Sequence, residues 1–347
     1  MNAPSFAGCM PYVIAEAGVN HNGRFENACD LVLAAKAAGA DAVKFQTFLP
    51  EAVILPSTPR ASYQVTSSGE GDGMLDMVKP LALSFDDFRR LRALCDDVGI
   101  DFMSTPFDRE SARFLVGLGL PIIKISSGDL DNYSLLEAVA DASGTLILST
   151  GMANLDDIEQ ALAYLCARRT GSVALLHCVS SYPAPAEDAN VNAVVTLARR
   201  FGLPTGYSDH TTGFAAACAA VALGACIVEK HFTLNKSLPG PDHAFSLSPV
   251  ELQAFTAQLR ETAASLGDGV KRCLPVEVEL KTLARRSLYA ARDLKAGEEV
   301  RADDVIAMRP ATGLAASLYP RLMGRRLVRD IRRLEAFQGV DLEGGAE

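Results

Sequence analysis

Short apolar runs alternate with amphipathic stretches of helical length along most of the chain, about eight times. The runs at 12–17, 42–48, 101–105, 121–126, 145–150, 173–179, 204–208 and 226–232 predict strands. Each is followed by a segment with helical periodicity, such as 26–38 and 248–266. Several of these segments open on a capping residue: Ser84 stands ahead of Phe85-Asp86-Asp87, and Asn154 ahead of Leu155-Asp156-Asp157. Eight βα units of this length predict an α/β fold, a (β/α)8 TIM barrel. A doubly wound open sheet is the other architecture that alternation permits. It usually carries a Gly-rich phosphate loop after the first strand, and EAGVNHNG is not one.

Polar residues interrupt the far end of nearly every predicted strand: Glu16, Lys44 with Gln46, Thr105, Lys124 with Ser127 and Asp129, Ser149, His177, Ser208 with His210, and Glu229 with His231. Charged groups in strands otherwise built of Val, Ile, Leu and Ala are expensive to bury without partners, so their recurrence at one end marks a functional mouth. In the stretch 204–245 a helix-like segment separates His210 from His231, which places both at the same end of adjacent parallel strands. Ser208 and Glu229 lie two residues earlier and share a face with the histidine that follows. That spacing fits a divalent-metal site and equally fits a pair of hydrogen-bonded loop histidines. Two long connections, 49–83 (with the small, polar patch SSGEGDG) and 233–247, are expected to cover the mouth.

Residues 1–266 are therefore assigned to the barrel, 267–284 to a Gly- and Pro-containing linker, and 285–347 to a small domain of short strands. The basic run Arg325-Arg326, Arg329, Arg332-Arg333 is read as a solvated face. A net charge of −9 argues against binding to nucleic acid or to a membrane surface. There is no apolar run of transmembrane length, and the start lacks the basic region of a signal peptide. The eight cysteines form no C-x-x-C pair and are expected to be buried, reduced thiols of a cytoplasmic protein.

Two lysines from different strands, with Thr105, Ser127, Ser149 and Ser208, suit a phosphate and a carboxylate: lysine supplies point charge and the hydroxyls supply directed donors. No residue has the setting of a serine or cysteine nucleophile. A metal with an anionic cosubstrate fits addition of a carbon nucleophile to a polarised carbonyl. The motifs YVIAEAGVNHNG (12–23), AVKFQTF (42–48), STPFD (104–108), KISSGDLDNY (124–133), LSTGMA (148–153), LHCVSSYPAP (176–185), GYSDHTTGF (206–214), VEKHFTLNKSLPGPDHAFSL (228–247) and MRPATGL (308–314) follow in order. On these the chain resembles the N-acetylneuraminate (sialic acid) synthases and their legionaminate and pseudaminate relatives. Its C-terminal part resembles their antifreeze-protein-like SAF domain.

The resemblance implies condensation of phosphoenolpyruvate with N-acetylmannosamine or a related N-acetylated amino sugar, with release of phosphate by C–O cleavage. His210 and His231 would hold Mn2+, or Mg2+ or Co2+. Lys44, Thr105, Lys124, Ser127, Ser149 and Ser208 would bind phosphoenolpyruvate. Glu16, Gln46, Tyr182 and Asp242 match positions that handle the sugar or the site water. Arg309 matches an arginine that reaches the sugar's N-acetyl group from the partner in a domain-swapped homodimer. One position departs: Asp129 stands where the family more often has Glu, a carboxylate one methylene longer. His177 is read as a hydrogen-bonded wall residue, and His21 and His243 as flanking the site without direct chemistry. Two other readings compete. One is a phosphoenolpyruvate-condensing barrel for a phosphorylated sugar, which would need a further basic cluster. The other is a non-catalytic carbohydrate-binding barrel, which the intact Lys44, Lys124, His210 and His231 oppose.

Overall fold

Eight parallel strands form a single sheet in the computed structural model, which describes residues 6, 10–60, 73–169 and 171–344. They are β1 (Tyr12–Gly18), β2 (Ala42–Thr47), β3 (Asp101–Pro106), β4 (Ile122–Ile125), β5 (Thr145–Ser149), β6 (Val173–His177), β7 (Thr205–Asp209) and β8 (Ile227–His231). The order β3-β2-β1-β8-β7-β6-β5-β4 brings β3 and β4 alongside each other and closes the barrel. Every expected strand is present, with ends shifted by no more than about two residues, the usual uncertainty of a strand or helix boundary.

Helices α1 (Phe25–Ala37), α2 (Phe85–Val98), α3 (Arg109–Gly117), α4 (Tyr133–Ala140), α5 (Leu155–Cys166), α6 (Ala193–Phe201), α7 (Ala215–Ala222) and α8 (Pro249–Leu266) follow the strands in turn. Both expected caps form. Ser84 accepts from Asp87 N at 3.1 Å, and Asn154 accepts from Asp157 N at 3.1 Å, each answered by the aspartate reaching back to the cap's own N–H. Such caps satisfy amides that a helix start leaves without partners. Asp108 does more: it caps α3 through Ser111 N at 2.8 Å and also accepts from Leu49 N at 2.8 Å, fixing the start of the connection after β2.

Period-two alternation along each strand sorts the side chains into layers. Val13, Val43, Phe102, Ile123, Leu146, Leu148, Leu175 and Val228 face outward into the main apolar core beneath the helices. Inward-facing Ile14, Ala42, Met103, Ile122, Ile147, Ala174, Leu176 and Ile227 fill the barrel as a second cluster. Two residues further on, six of these strands turn polar: Glu16, Lys44, Thr105, Lys124, Ser149 and Glu229. The apolar layer is the floor on which the polar one stands.

The chain divides into two units, Met1–Gly267 and Asp268–Glu347. In the second, a short helix (Val278–Ala284) lies within the expected linker. Strands β9 (Ser287–Ala290) and β10 (Val305–Met308) pair antiparallel over a core that includes Leu288, Leu294, Leu322, Ile331 and Phe337. This unit carries an internal repeat that the sequence reading missed. Arg292 bridges Asp304 (2.8 Å) and Glu298 (3.0 Å), while Arg329 bridges Asp341 (2.6 Å) and Glu335 (2.7 Å) in the same pattern. Arg329 is thus a structural tie within the otherwise exposed basic run. The cysteine expectation also needs correcting. Cys95 and Cys178 are buried, but Cys166 and Cys273 are exposed and Cys29, Cys218 and Cys226 half-buried; Cys9 lies outside the described residues. Most of the SSGEGDG patch likewise lies outside them.

Candidate active site

A cavity of about 480 Å³ opens at the C-terminal mouth of the barrel. It is lined by Glu16, Lys44, Gln46, Thr105, Lys124, Ser127, Ser149, Tyr182, Ser208, His210, Glu229, His231 and Asp242, so twelve of the fourteen residues to which the resemblance gives a site role converge there, together with Glu229 of the polar strand ends. Strand register explains the contacts. Glu16 lies opposite Lys44 in the β1–β2 ladder, and the two side chains meet at 2.8 Å. Ser208 lies opposite Glu229 in the β7–β8 ladder, and its hydroxyl donates to that carboxylate at 3.0 Å. Lys44 also reaches Thr105 Oγ1 at 3.1 Å and Glu229 at 3.6 Å. Lys124 donates to Ser149 Oγ at 2.5 Å and to Ile125 O at 3.2 Å.

Burial and charge set the protonation states. Burial works to lower the Lys44 pKa, but Glu16 and Glu229 outweigh it and raise it, so this lysine stays charged. Burial also pushes the Glu229 carboxyl upward, and Lys124 and Lys44 together overcome that and hold it down to about 2. Lys124 is lowered, chiefly by burial, with Lys44 adding to it. Glu16 is raised, first by burial and then by the Glu229 charge, despite its lysine neighbour. Asp242 is pushed up to about 7 by burial, with the Glu16 charge adding to it. The mouth thus pairs an ionised carboxylate, Glu229, with a carboxyl that titrates near neutrality, Asp242, a separation of roles typical of acid–base sites.

The histidine pair fits a divalent cation. His210 donates from Nδ1 to Val179 O at 2.7 Å, which fixes its tautomer and leaves Nε2 as the ligating nitrogen. His231 buries an Nδ1 that has no hydrogen-bond partner, with Asp242 Oδ2 at 3.8 Å. Burial lowers both imidazoles, His231 well below its ordinary value, so both are neutral as ligation requires. Their ring centroids are 5.8 Å apart, and Tyr182 and Phe245 pack around them. Among the described residues no cluster of three or more His, Cys, Asp or Glu has metal-binding geometry. A bound ion would therefore complete its shell with oxygens from substrate and water.

Gly18 and Gly151 pack directly against side chains that line the cavity. Gly18 sits at φ +54°, and a Cβ there would lie 3.3 Å from both Gln46 Nε2 and Glu16 Oε1. At Gly151 a Cβ would lie 2.4 Å from Ser180 Oγ and 2.9 Å from Ser127 Oγ, while its N–H donates to Ser127 Oγ at 2.9 Å.

One expected residue is not brought in. Asp129 does not line the cavity: it ends a 3-10 turn and accepts from Ser126 Oγ at 2.5 Å and Asn132 Nδ2 at 3.1 Å, as a turn carboxylate does. Arg309 belongs to the C-terminal unit and is exposed there. His177, read at first with the polar strand ends, faces outward, bonded to Ala189 O at 2.9 Å and stacked on Tyr207. His243 bonds Thr233 Oγ1 at 2.6 Å and Asn22 at 3.1 Å, tying the loop after β8 to the loop after β1. Cys178, Ser180 and Met152 line the cavity without having been singled out; continued alternation beyond β6 would have found the first two. Also missed was an apolar sector of the wall, drawn from the connection after β2 and from the end of β3.

Comparison with known proteins supplies the frame for this site. The NeuB family model matches residues 31–271, and the SAF domain model matches residues 285–343. An N,N'-diacetyllegionaminic acid synthase of Legionella pneumophila is 43% identical over 91% of this chain and 90% of its own length. One from Campylobacter jejuni is 41% identical over 94% and 98%. The crystal structure of an N-acetylneuraminic acid (sialic acid) synthetase from Leptospira borgpetersenii, in complex with citrate, superposes with a TM-score of 0.68 at 35% identity, over 79% of this chain and 91% of that one.

Proposed function

The chain belongs to the NeuB family, and from that premise we propose that it condenses phosphoenolpyruvate with the open-chain aldehyde of an N-acetylated amino sugar. The product is a nonulosonic acid of the sialic type, with phosphate released. Two sugars fit this description, N-acetylmannosamine and a 2,4-diacetamido-2,4,6-trideoxymannose, the second suggested by the legionaminic acid synthases among its relatives. The observation that carries the reading is the convergence, in one cavity, of two buried lysines and a set of hydroxyls with two neutral imidazoles.

Lys124, Ser127, Ser149 and the Gly151 sector form the anion cradle, and Lys44 with Thr105 closes it from the β2–β3 side. The bond forms from enol C3 to the aldehyde carbon, water adds at C2, and the C2–O bond to phosphate breaks. Asp242, holding its proton near neutrality, donates to the sugar oxygen. Glu16, steadied by Lys44 and Gln46, takes the proton of the adding water. His210 and His231 would hold a divalent ion, Mn2+ with Mg2+ or Co2+ as substitutes, whose chemistry there is to polarise the aldehyde oxygen. Lysine and hydroxyl donors are worth most in such a mouth because its buried groups are preorganised around the developing charge.

The same proposal takes the enzyme as cytoplasmic and as a homodimer in which Arg309 of one chain serves the partner's sugar. That last element rests on the matching MRPATGL motif. A phosphorylated sugar is disfavoured because Lys44 and Lys124 are the only Lys or Arg among the described lining residues, and the cradle employs both. Phosphate release from phosphoenolpyruvate, measured with each candidate sugar in the presence of metal, tests the proposal. Release with no sugar would overturn it.

A further inference from the structure

Cys178 is a buried thiol whose place apolar packing does not explain. It is 4% exposed, yet it stands outside the apolar clusters formed by the described residues, whereas the equally buried Cys95 sits within the main core. Its Sγ lies 3.1 Å from Ser127 Oγ, at the cavity that both residues line. The contact crosses a strand: Ser127 follows β4, Cys178 follows β6, and β5 runs between them, ending just before Gly151. The missing side chain at Gly151 makes the crossing possible. A Cβ there would lie 3.0 Å from Cys178 Sγ and 2.9 Å from Ser127 Oγ, closer than a side chain tolerates.

The Ser127 hydroxyl has two lone pairs and one proton. The Gly151 N–H donates to one lone pair at 2.9 Å, and an amide N–H has no other role to offer. The sulfur decides the rest. If Ser127 gives its proton to Sγ, a lone pair is left for the cavity, and a lone pair repels an anion. If the thiol donates instead, both lone pairs are taken and the hydroxyl proton is free for the cavity. We infer that Cys178 is a positioning residue: its S–H donates to Ser127 Oγ and so commits the Ser127 hydroxyl to donate to bound phosphoenolpyruvate. The inference rests on the condensation reading above and adds to it a residue that acts through Ser127. A thiol is a weak donor by itself. The arriving anion completes the arrangement, because a charged acceptor holds the Ser127 proton strongly and donation then runs from sulfur to oxygen to anion.

Calorimetric titration with phosphoenolpyruvate, without sugar so that nothing turns over, tests this on wild type, Cys178→Ala, Ser127→Ala and the double variant. Cys178→Ala should weaken binding by about 2- to 10-fold, the range of one neutral hydrogen bond. In the Ser127→Ala background the same change should have no effect, because the group through which the thiol acts is gone. Cys178→Ser, which restores a donor, should recover most of the loss. In turnover the KM for phosphoenolpyruvate should rise in Cys178→Ala while the KM for the sugar stays put, a split that general loosening of the fold would not give. Cys178→Val, which fills the space without a donor, repeats the comparison if the alanine variant does not fold. Equal losses in both backgrounds, or unchanged affinity in Cys178→Ala, would overturn the inference and leave the reaction standing. Wild-type protein that binds no phosphoenolpyruvate would overturn the condensation reading itself, and this inference with it.

Discussion

Two fully buried lysines in one barrel allow a matched experiment, because one faces the cavity and the other faces the helices. Lys124 points inward and donates to Ser149 Oγ at 2.5 Å; Lys230 points outward and pairs with Asp209 at 2.7 Å. Lys124→Met keeps the length and removes the charge. In the empty site two effects on stability oppose each other. Burial lowers the Lys124 pKa, so its charged form is a liability whose loss helps; Glu229 loses its largest favourable partner, which hurts. Lys44 remains 3.6 Å from Glu229 and limits the second effect. The net change should stay within about 1 kcal/mol, a shift in Tm of no more than about 2 °C for a unit of this size. Binding is a different matter. A charge-assisted contact to an anionic substrate is worth roughly 1.5–3 kcal/mol, hence about a 10- to 150-fold loss in phosphoenolpyruvate affinity or in kcat/KM.

Lys230→Met should do the reverse. Asp209 is buried and would keep hydrogen bonds from Thr211 N and Oγ1, at 2.9 and 2.7 Å, but lose its charged partner. Removing one partner of a buried pair costs roughly 3–5 kcal/mol, so the Tm should fall by about 5–10 °C while the KM for phosphoenolpyruvate in the folded fraction stays put. Thermal denaturation and steady-state phosphate release on both variants decide the matter. Unchanged kinetics in Lys124→Met, or lost phosphoenolpyruvate affinity in a stable Lys230→Met, would refute the assignment of inner and outer faces.

Gly151→Ala should weaken phosphoenolpyruvate at least several-fold, because the new Cβ enters the space of Ser180 and Ser127; calorimetric titration showing wild-type affinity would contradict the cradle. Activity should vanish in excess chelator and return with Mn2+, Co2+ or Mg2+, since two imidazoles alone release an ion readily; full activity with no metal detected would count against the histidine pair. The Asp242 carboxyl, at about 7 when folded against 3.8 as its ordinary value, keeps the folded state richer in protons between those values. Stability therefore falls as pH rises from about 4 through 7, losing roughly 1.4 kcal/mol for each pH unit in that window. In metal-free protein Asp242→Asn should abolish that decline, and parallel Tm profiles for wild type and variant would exclude it. Co-expressed Lys124→Ala and Arg309→Ala chains should regain activity if a mixed homodimer assembles one intact site, and mixed dimers without recovery would dispose of the shared arrangement.

The barrel was legible because the strands obey a strict two-residue period and the helices announce themselves with caps. Parity also located most of the site. In the run IVEKH, Glu229 and His231 share the inward face while Lys230 takes the outward one, and the structure separates them accordingly. His177 shows where strand-end position without parity misleads: it follows inward Leu176 and so must face out. Asp129 escaped for another reason. Its motif SSGD folds into a self-capped turn, and the hydrogen bonds that hold the turn consume both carboxylate oxygens. The apolar wall left no signal because its residues come from connections of irregular periodicity, brought together only by packing on Phe48 and Leu81. The repeat in the C-terminal unit is written in the sequence as Arg292-Asp293-Leu294-Lys295 and Arg329-Asp330-Ile331-Arg332, each followed by Glu and Asp at the same spacing, a match too short to stand out until the ion pairs showed what it builds.

The polar layer that parity exposes is also the one place where the barrel departs from an apolar interior, and its composition explains how it is tolerated. Lys44 and Lys124 stand against Glu16 and Glu229, so the two lysines and two glutamates of this inward-facing layer offset one another. Buried charges persist only when they are paired and hydrogen-bonded, and here each takes an ion pair or a hydrogen bond from a neighbouring strand. The pairing is uneven, however. Glu229 is held firmly ionised, whereas Lys124 is destabilised as a cation by burial and by Lys44. An arriving anion would offset that uncompensated positive charge at the β4–β5 end, so the lysine that burial disfavours in the fold is the one placed to bind an anionic substrate.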